Sequence, residues 1–166
     1  KELLDSSIDE LILALVLAVV FIYLVMAAQF ESLKYPFVIM FSVPLMVIGV
    51  ALALISTMSP ISLTVIIGVI VLAGIVVNNA IVIVDFINQK KESGIRTHEA
   101  IVESVRDRAR PIFMTSLTTI LGLIPLALGI GEGTEINQPM GITVIGGMIS
   151  STLLTLIVVP VMYSFF

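Results

Sequence analysis

PISLTVIIGVIVLAGIVVNNAIVIV, the stretch from Pro60 to Val84, carries no charge along its whole length. A helix rising about 1.5 Å per residue needs about 20 residues to cross a hydrocarbon core of about 30 Å, and this stretch exceeds that. It is apolar on every face, whereas the strands of a membrane barrel alternate apolar and polar residues with period two. Four other stretches read the same way: Leu11 to Gln29, Tyr35 to Thr57, Pro111 to Gly131 and Ile136 to Phe166. With 58% apolar and 12% charged residues and a mean hydropathy of +1.19, the chain lies far from soluble domains, where about 25% of residues are charged. The expectation is an all-α membrane protein, a five-helix transmembrane bundle.

The spans are expected over about 8–30, 35–57, 60–87, 111–130 and 137–165. The turn Glu31–Ser32–Leu33–Lys34 is short enough to make the first two helices an antiparallel hairpin. Pro44 is expected to kink the second helix rather than break it, and Pro60 suits a first helical position. Between the third and fourth spans, Thr97 can cap a short connector over about 97–109, with Glu99 in its first turn and arginines in its last. Ile101, Val102 and Val105 give that connector one apolar stripe, so it is expected to lie at the headgroup level as an interfacial helix. Small residues at Thr118 and Gly122, Gly146 and Ser150, and Gly147 and Ser151 repeat a four-residue spacing that lets helices approach closely.

All the Lys and Arg residues except Lys1 fall at Lys34 or between Lys90 and Arg110, which makes those two loops cytoplasmic. Glu2, Asp5, Asp9, Glu10, Glu132 and Glu135 then lie outside, so the N-terminus is expected outside and the C-terminus in the cytoplasm. Lys1 to Glu10 has four acids against one lysine and no small-residue cleavage site after it. A signal peptide is therefore not expected, and the start reads as the middle of a longer chain. There is no cysteine and His98 is the one histidine, so no metal site or cofactor is expected. An intramembrane enzyme would need a paired aspartate, a serine with histidine or a His–Glu zinc motif in the helices, and none occurs. Nothing in the composition points to nucleic acid as a partner.

Asn78 and Asn79 are the strongly polar groups within the Pro60 to Val84 run. Gly74, Asn78 and Asp85 share one helical stripe, with Asn79 rotated by about 100°. A carboxamide at bilayer depth costs about 1–3 kcal/mol unless it finds a partner, so the pair serves either as interhelical glue or in a hydrogen-bonded ion path. Thr115 and Thr119 lie four apart on the fourth helix and offer a face that could meet the asparagines, although threonine hydroxyls often bond back to their own helix. Asp85 falls near the cytoplasmic boundary, where it can reach water. No carboxylate, histidine or lysine lies mid-membrane, so any proton site has to be completed from elsewhere.

GIVVNNAIVIVDF (Gly74 to Phe86) and RARPIFMTSLTTILGLIPL (Arg108 to Leu126) resemble the C-terminal transmembrane part of resistance-nodulation-division (RND) multidrug exporters of the hydrophobe/amphiphile type. Phe30–Glu31–Ser32, the Gly131–Glu132–Gly133 turn and the glycine-rich last helix ending at Val159–Pro160–Val161 fall in the matching order. The resemblance implies helices eight to twelve of a twelve-helix membrane domain, preceded by another transmembrane half and an extracytoplasmic porter domain. It further implies a proton-driven antiporter of hydrophobic or amphiphilic compounds in the cell inner membrane. Such exporters are homotrimers, joined in Gram-negative cells to a periplasmic adaptor and an outer-membrane channel. Carried over by position, the tenth-helix relay lysine becomes Asn78, its neighbour is Asn79, the relay threonine is Thr115 and the arginine below is Arg108, with Asp85 and Thr119 as secondary candidates. The aspartates of the relay are not in this chain.

Asparagine in place of lysine removes a counter-ion, which would raise the carboxylate pKa. Sodium is the alternative coupling ion, because amide and hydroxyl oxygens coordinate hard cations. The alternatives to a drug exporter are an RND-related protein-translocation or lipid-export accessory and a non-transporting membrane scaffold. A heavy-metal exporter is disfavoured because the eight methionines are dispersed.

Overall fold

The computed structural model describes residues 2–131 and 133–165, with side chains from residue 7 onward; the roles expected of Lys1 and Glu132, and of the Glu2 and Asp5 side chains, fall outside that set. The chain forms six α-helices: α1 (Glu2–Gln29), α2 (Lys34–Met40), α3 (Ser42–Thr57), α4 (Leu63–Glu92), α5 (Thr97–Ala127) and α6 (Gln138–Phe165). A short 3₁₀ turn, Thr134–Ile136, precedes α6. Five segments are long and apolar enough to cross a membrane, α2 and α3 together making the second. The all-α, five-span bundle expected from the sequence is the architecture observed.

Two boundaries differ from the sequence reading. Pro44 has no N–H to give the carbonyl of Met40, so the helical ladder lapses there, and Phe41 separates α2 from α3. Phe41 keeps right-handed helical angles (φ −62°, ψ −20°), so the span continues past the interruption. The expected connector over 97–109 is not a separate interfacial helix: α5 runs unbroken from Thr97 through Pro111 to Ala127. Pro111 removes only the bond to Asp107, while contacts to α4 hold the helix just before it. Ala100, Ile101 and Ser104 are buried against α4, whereas Val102 of the expected apolar stripe is exposed. Arg96, not Thr97, occupies the N-cap position, and it makes no side-chain capping bond. At the other end, α5 stops at Ala127 because Gly129 adopts φ +67° and lets Ile130 N–H reach the Pro125 carbonyl at 3.1 Å.

α6 is the hub, packing on α3, α4 and α5. Its buried face is built from small or short side chains: Gly141, Val144, Gly147, Ser151, Thr155 and Val159. Val144 and Met148 of α6, with Met46, Val50, Leu72 and Val76, make a core layer nearer the acidic side. A second layer nearer the basic side gathers Ile39, Val84, Ile87, Ile101, Val159 and Tyr163. α1 contributes only Met26 to the core among its described side chains and rests on α2 and α4, so the hairpin expected of the first two spans is loose.

One interhelical hydrogen bond lies fully inside the bundle, between Ser116 Oγ of α5 and Thr152 Oγ1 of α6 at 2.8 Å. Bonds of this kind contribute about 0.6 kcal/mol in membrane proteins, with a ceiling near 1.7. Ser116→Ala is expected to lower the unfolding free energy in mild detergent by about that amount, and the loss should vanish when Thr152→Val is already present. An equal loss in both backgrounds would assign the effect to packing instead.

Candidate functional site

The stripe Gly74, Asn78 and Asp85 lies on a face of α4 that no other described residue buries. All three residues are exposed, as are Ile67 and Val71 on the same stripe. A Cβ built on Gly74 meets no atom within 4 Å. Asn79, turned toward the bundle, is half-buried. Neither asparagine has a hydrogen-bond partner among the described residues, so two carboxamides face the depth of the bilayer unsatisfied by this chain.

The threonines on α5 are satisfied within their own helix. Thr115 Oγ1 donates to the Ile112 carbonyl at 2.9 Å, and Thr119 Oγ1 donates to the Thr115 carbonyl at 2.8 Å. Thr115 is exposed, and no hydrogen bond joins it to Asn78 or Asn79. Gly122, on the same helix, also has no neighbour within 4 Å of a built Cβ.

At the basic end, Asp85 Oδ2 accepts a hydrogen bond from Gln89 Nε2 at 2.7 Å and opens on a polar cavity of about 490 Å³. Arg108 packs on Phe86, the residue after Asp85: its guanidinium carbon sits 4.1 Å from the ring centroid, within cation–π range. Its Nε is buried without a partner, and no ion pair joins it to Asp85 among the described residues. The sequence reading missed what locks this end. Lys90 Nζ bridges Glu103 at 2.9 Å and Asp107 at 2.8 Å, tying the end of α4 to the beginning of α5. The signal was present, since Glu103 and Asp107 stand four apart on one helical face. Tyr163, stacked on Tyr35 at 5.5 Å and donating to Asn88 Oδ1 at 2.5 Å, had no such signal.

The bundle is apolar, with one exposed polar stripe on α4 and its described cations gathered at one end. The profile of the AcrB/AcrD/AcrF family matches residues 2–166. The chain belongs to this family. Within it, the chain is 47% identical over 159 residues to the swarming motility protein SwrC of Bacillus subtilis (strain 168), covering 95% of this chain and 15% of the relative. It is 44% identical over 160 residues to the multidrug resistance protein MdtC of Erwinia tasmaniensis, covering 96% of this chain and 15% of MdtC. The X-ray crystal structure of a heavy metal efflux pump superposes with a TM-score of 0.83 at 31% identity, covering 92% of this chain and 15% of the pump. The chain thus spans about 15% of the length of these relatives. It is a membrane protein of the RND efflux-transporter family.

Proposed function

We propose that the chain is the C-terminal membrane part of a proton-driven exporter of hydrophobic or amphiphilic compounds. In this reading, Asn78, Asn79 and Thr115 are the hydrogen-bonding partners of carboxylates on the missing amino-terminal half. The observation that carries it is the bare α4 stripe, where exposed Gly74 allows close approach of another helix and Asn78 waits for a partner. With no cation at position 78, those carboxylates keep a raised pKa and take up a proton more readily than they would beside lysine. Thr115 reaches them by giving up its bond to the Ile112 carbonyl, and Arg108, held on Phe86, stands at the inner entrance with Asp85. The loops bearing Lys34 and Lys90 to Arg110 face the cytoplasm. The whole transporter is a homotrimer with an extracytoplasmic porter domain, served by an adaptor and an outer-membrane channel where the cell has an outer membrane.

Among the described residues, no three His, Asp or Glu side chains gather to hold a metal ion in this segment.

Export by the full-length protein in closed vesicles tests the reading. Drug efflux should follow an imposed pH gradient and be unmoved by a sodium gradient of equal size. Gly74→Leu should abolish export while leaving this chain's own packing intact, because Gly74 is exposed and a Cβ there meets no atom of this chain within 4 Å. Efflux driven by sodium alone, or full export by Gly74→Leu, contradicts the proposal.

A further inference from the structure

Two polar cavities lie side by side at the basic end of the bundle, and they differ in charge. The one beside Asp85 is walled by Glu31, Asp85 and Glu92 together with Lys91. The other, of about 440 Å³, is walled by Lys34, Tyr35, Lys91, Thr97 and Tyr163 with two serines, and no described carboxylate lines it. Tyr35 and Tyr163 stack in its wall, and Lys91 Nζ is held 5.3 Å from the Tyr163 ring centroid.

The lysines of this end are not equivalent. Lys90 is neutralised by Glu103 and Asp107. Neither Lys34 nor Lys91 has a carboxylate within ion-pair distance among the described residues. The second cavity therefore presents two cations without an ion-pair partner among the described residues, several hydroxyl groups and the positive N-terminal end of the long helix α5 at Thr97. With two ammonium groups and no described carboxylate in its wall, such a pocket favours an anion.

The surroundings indicate which anion. Tyrosines and lysines at the ends of membrane helices mark the headgroup level, and basic pockets between such helices on the cytoplasmic side hold anionic lipid headgroups. From the wall residue Ser164, an exposed apolar stripe climbs α6 through Phe165, Val161, Ile157 and Leu153, surface suited to an acyl chain. A free phosphate has no use for that stripe.

We propose that this cavity binds the phosphate headgroup of an anionic phospholipid of the cytoplasmic leaflet, with Lys34 and Lys91 as its counter-ions. The leaflet assignment rests on the orientation proposed above. The test uses the full-length protein in nanodiscs of phosphatidylcholine with or without phosphatidylglycerol, counting retained phosphatidylglycerol per protomer by native mass spectrometry. The double variant Lys34→Gln/Lys91→Gln should weaken retention about thirtyfold, given the contribution of each cation near an anionic surface. Lys34→Arg/Lys91→Arg should keep the lipid, and so should Arg106→Gln, a cation outside the cavity.

Equal retention by the double glutamine variant overturns the proposal. So does loss of lipid to inorganic phosphate at constant ionic strength, which would make this a free-phosphate site. Labelling of a Lys34→Cys variant from outside closed cells would overturn the orientation alone, leaving the headgroup result to stand separately.

Discussion

Replacing Gly146 by leucine is expected to leave no folded protein in the membrane. Even the first added carbon is intolerable: a Cβ at Gly146 would stand 2.1 Å from the Cβ of Ala53 and 3.2 Å from the Gly49 carbonyl oxygen. Carbon atoms rest about 3.5–4.0 Å apart, so α3 and α6 would have to separate by roughly 1.5 Å. Gly49 makes the reciprocal approach, its built Cβ lying 2.2 Å from the Ser150 Cβ, so the two helices meet backbone to backbone. Separation would strip Met46 and Val50 from Val144 and Met148, the layer that joins α3 to the hub. Overpacking of a tight core typically costs about 1–3 kcal/mol, and here strain and lost contacts add together. Gly146→Leu and Gly49→Val should both fail to give a monodisperse peak in detergent size-exclusion chromatography. Gly122→Ala, with open space around it, should melt at or above the parent temperature, since alanine is favoured over glycine in a helix by about 0.8–1 kcal/mol. A Gly146→Leu protein that is monodisperse and melts with the parent would refute the close contact.

A large functional effect is also expected at Asn78. Asn78→Ala should reduce proton-driven export by the full-length protein about tenfold or more at parental expression, because a hydrogen bond to an ionised group is worth about 1.5–3 kcal/mol. Stability should change little, since Asn78 is exposed and has no hydrogen-bond partner among the described residues. Asn78→Lys provides the sharper readout. A cation beside the carboxylates of the other half favours their ionised form and lowers their pKa, by about 1–3 units for a close pair. The pH midpoint of export should therefore move toward acid in Asn78→Lys. Full export by Asn78→Ala, together with an unmoved midpoint in Asn78→Lys, would return the residue to the role of interhelical glue.

Much of the fold was legible because long uncharged runs have one stable solution in lipid, a helix with its backbone bonds satisfied internally. The Gly146 and Ser150 spacing announced a close contact, and the structure supplies its partner, the Gly49 to Ala53 face of α3. The Arg110–Pro111 pair was misleading. Proline there reads as a helix start, yet the Lys90 bridges to Glu103 and Asp107 and the Arg108 contact with Phe86 hold α5 on α4 just before it, and the helix continues. The candidate site was legible as a stripe, since Gly74, Asn78 and Asp85 follow from helical geometry. Back-bonding of Thr115 was legible too, as the common habit of a helical threonine hydroxyl, and the structure names the acceptor as the Ile112 carbonyl.

The sequence by itself determined the five spans, the basic and acidic sides, and the likeness to RND exporters. Length without charge and the placement of cations are one-dimensional properties, and the bilayer reads them directly. Only the tertiary structure decided which face of each helix is covered. A helix apolar all round has no preferred side in lipid, so the choice falls to close packing, and that depends on which small residues of two helices come to the same height. This is why α6 became the hub and α1 remained at the edge, and why the Asn78 stripe was left exposed.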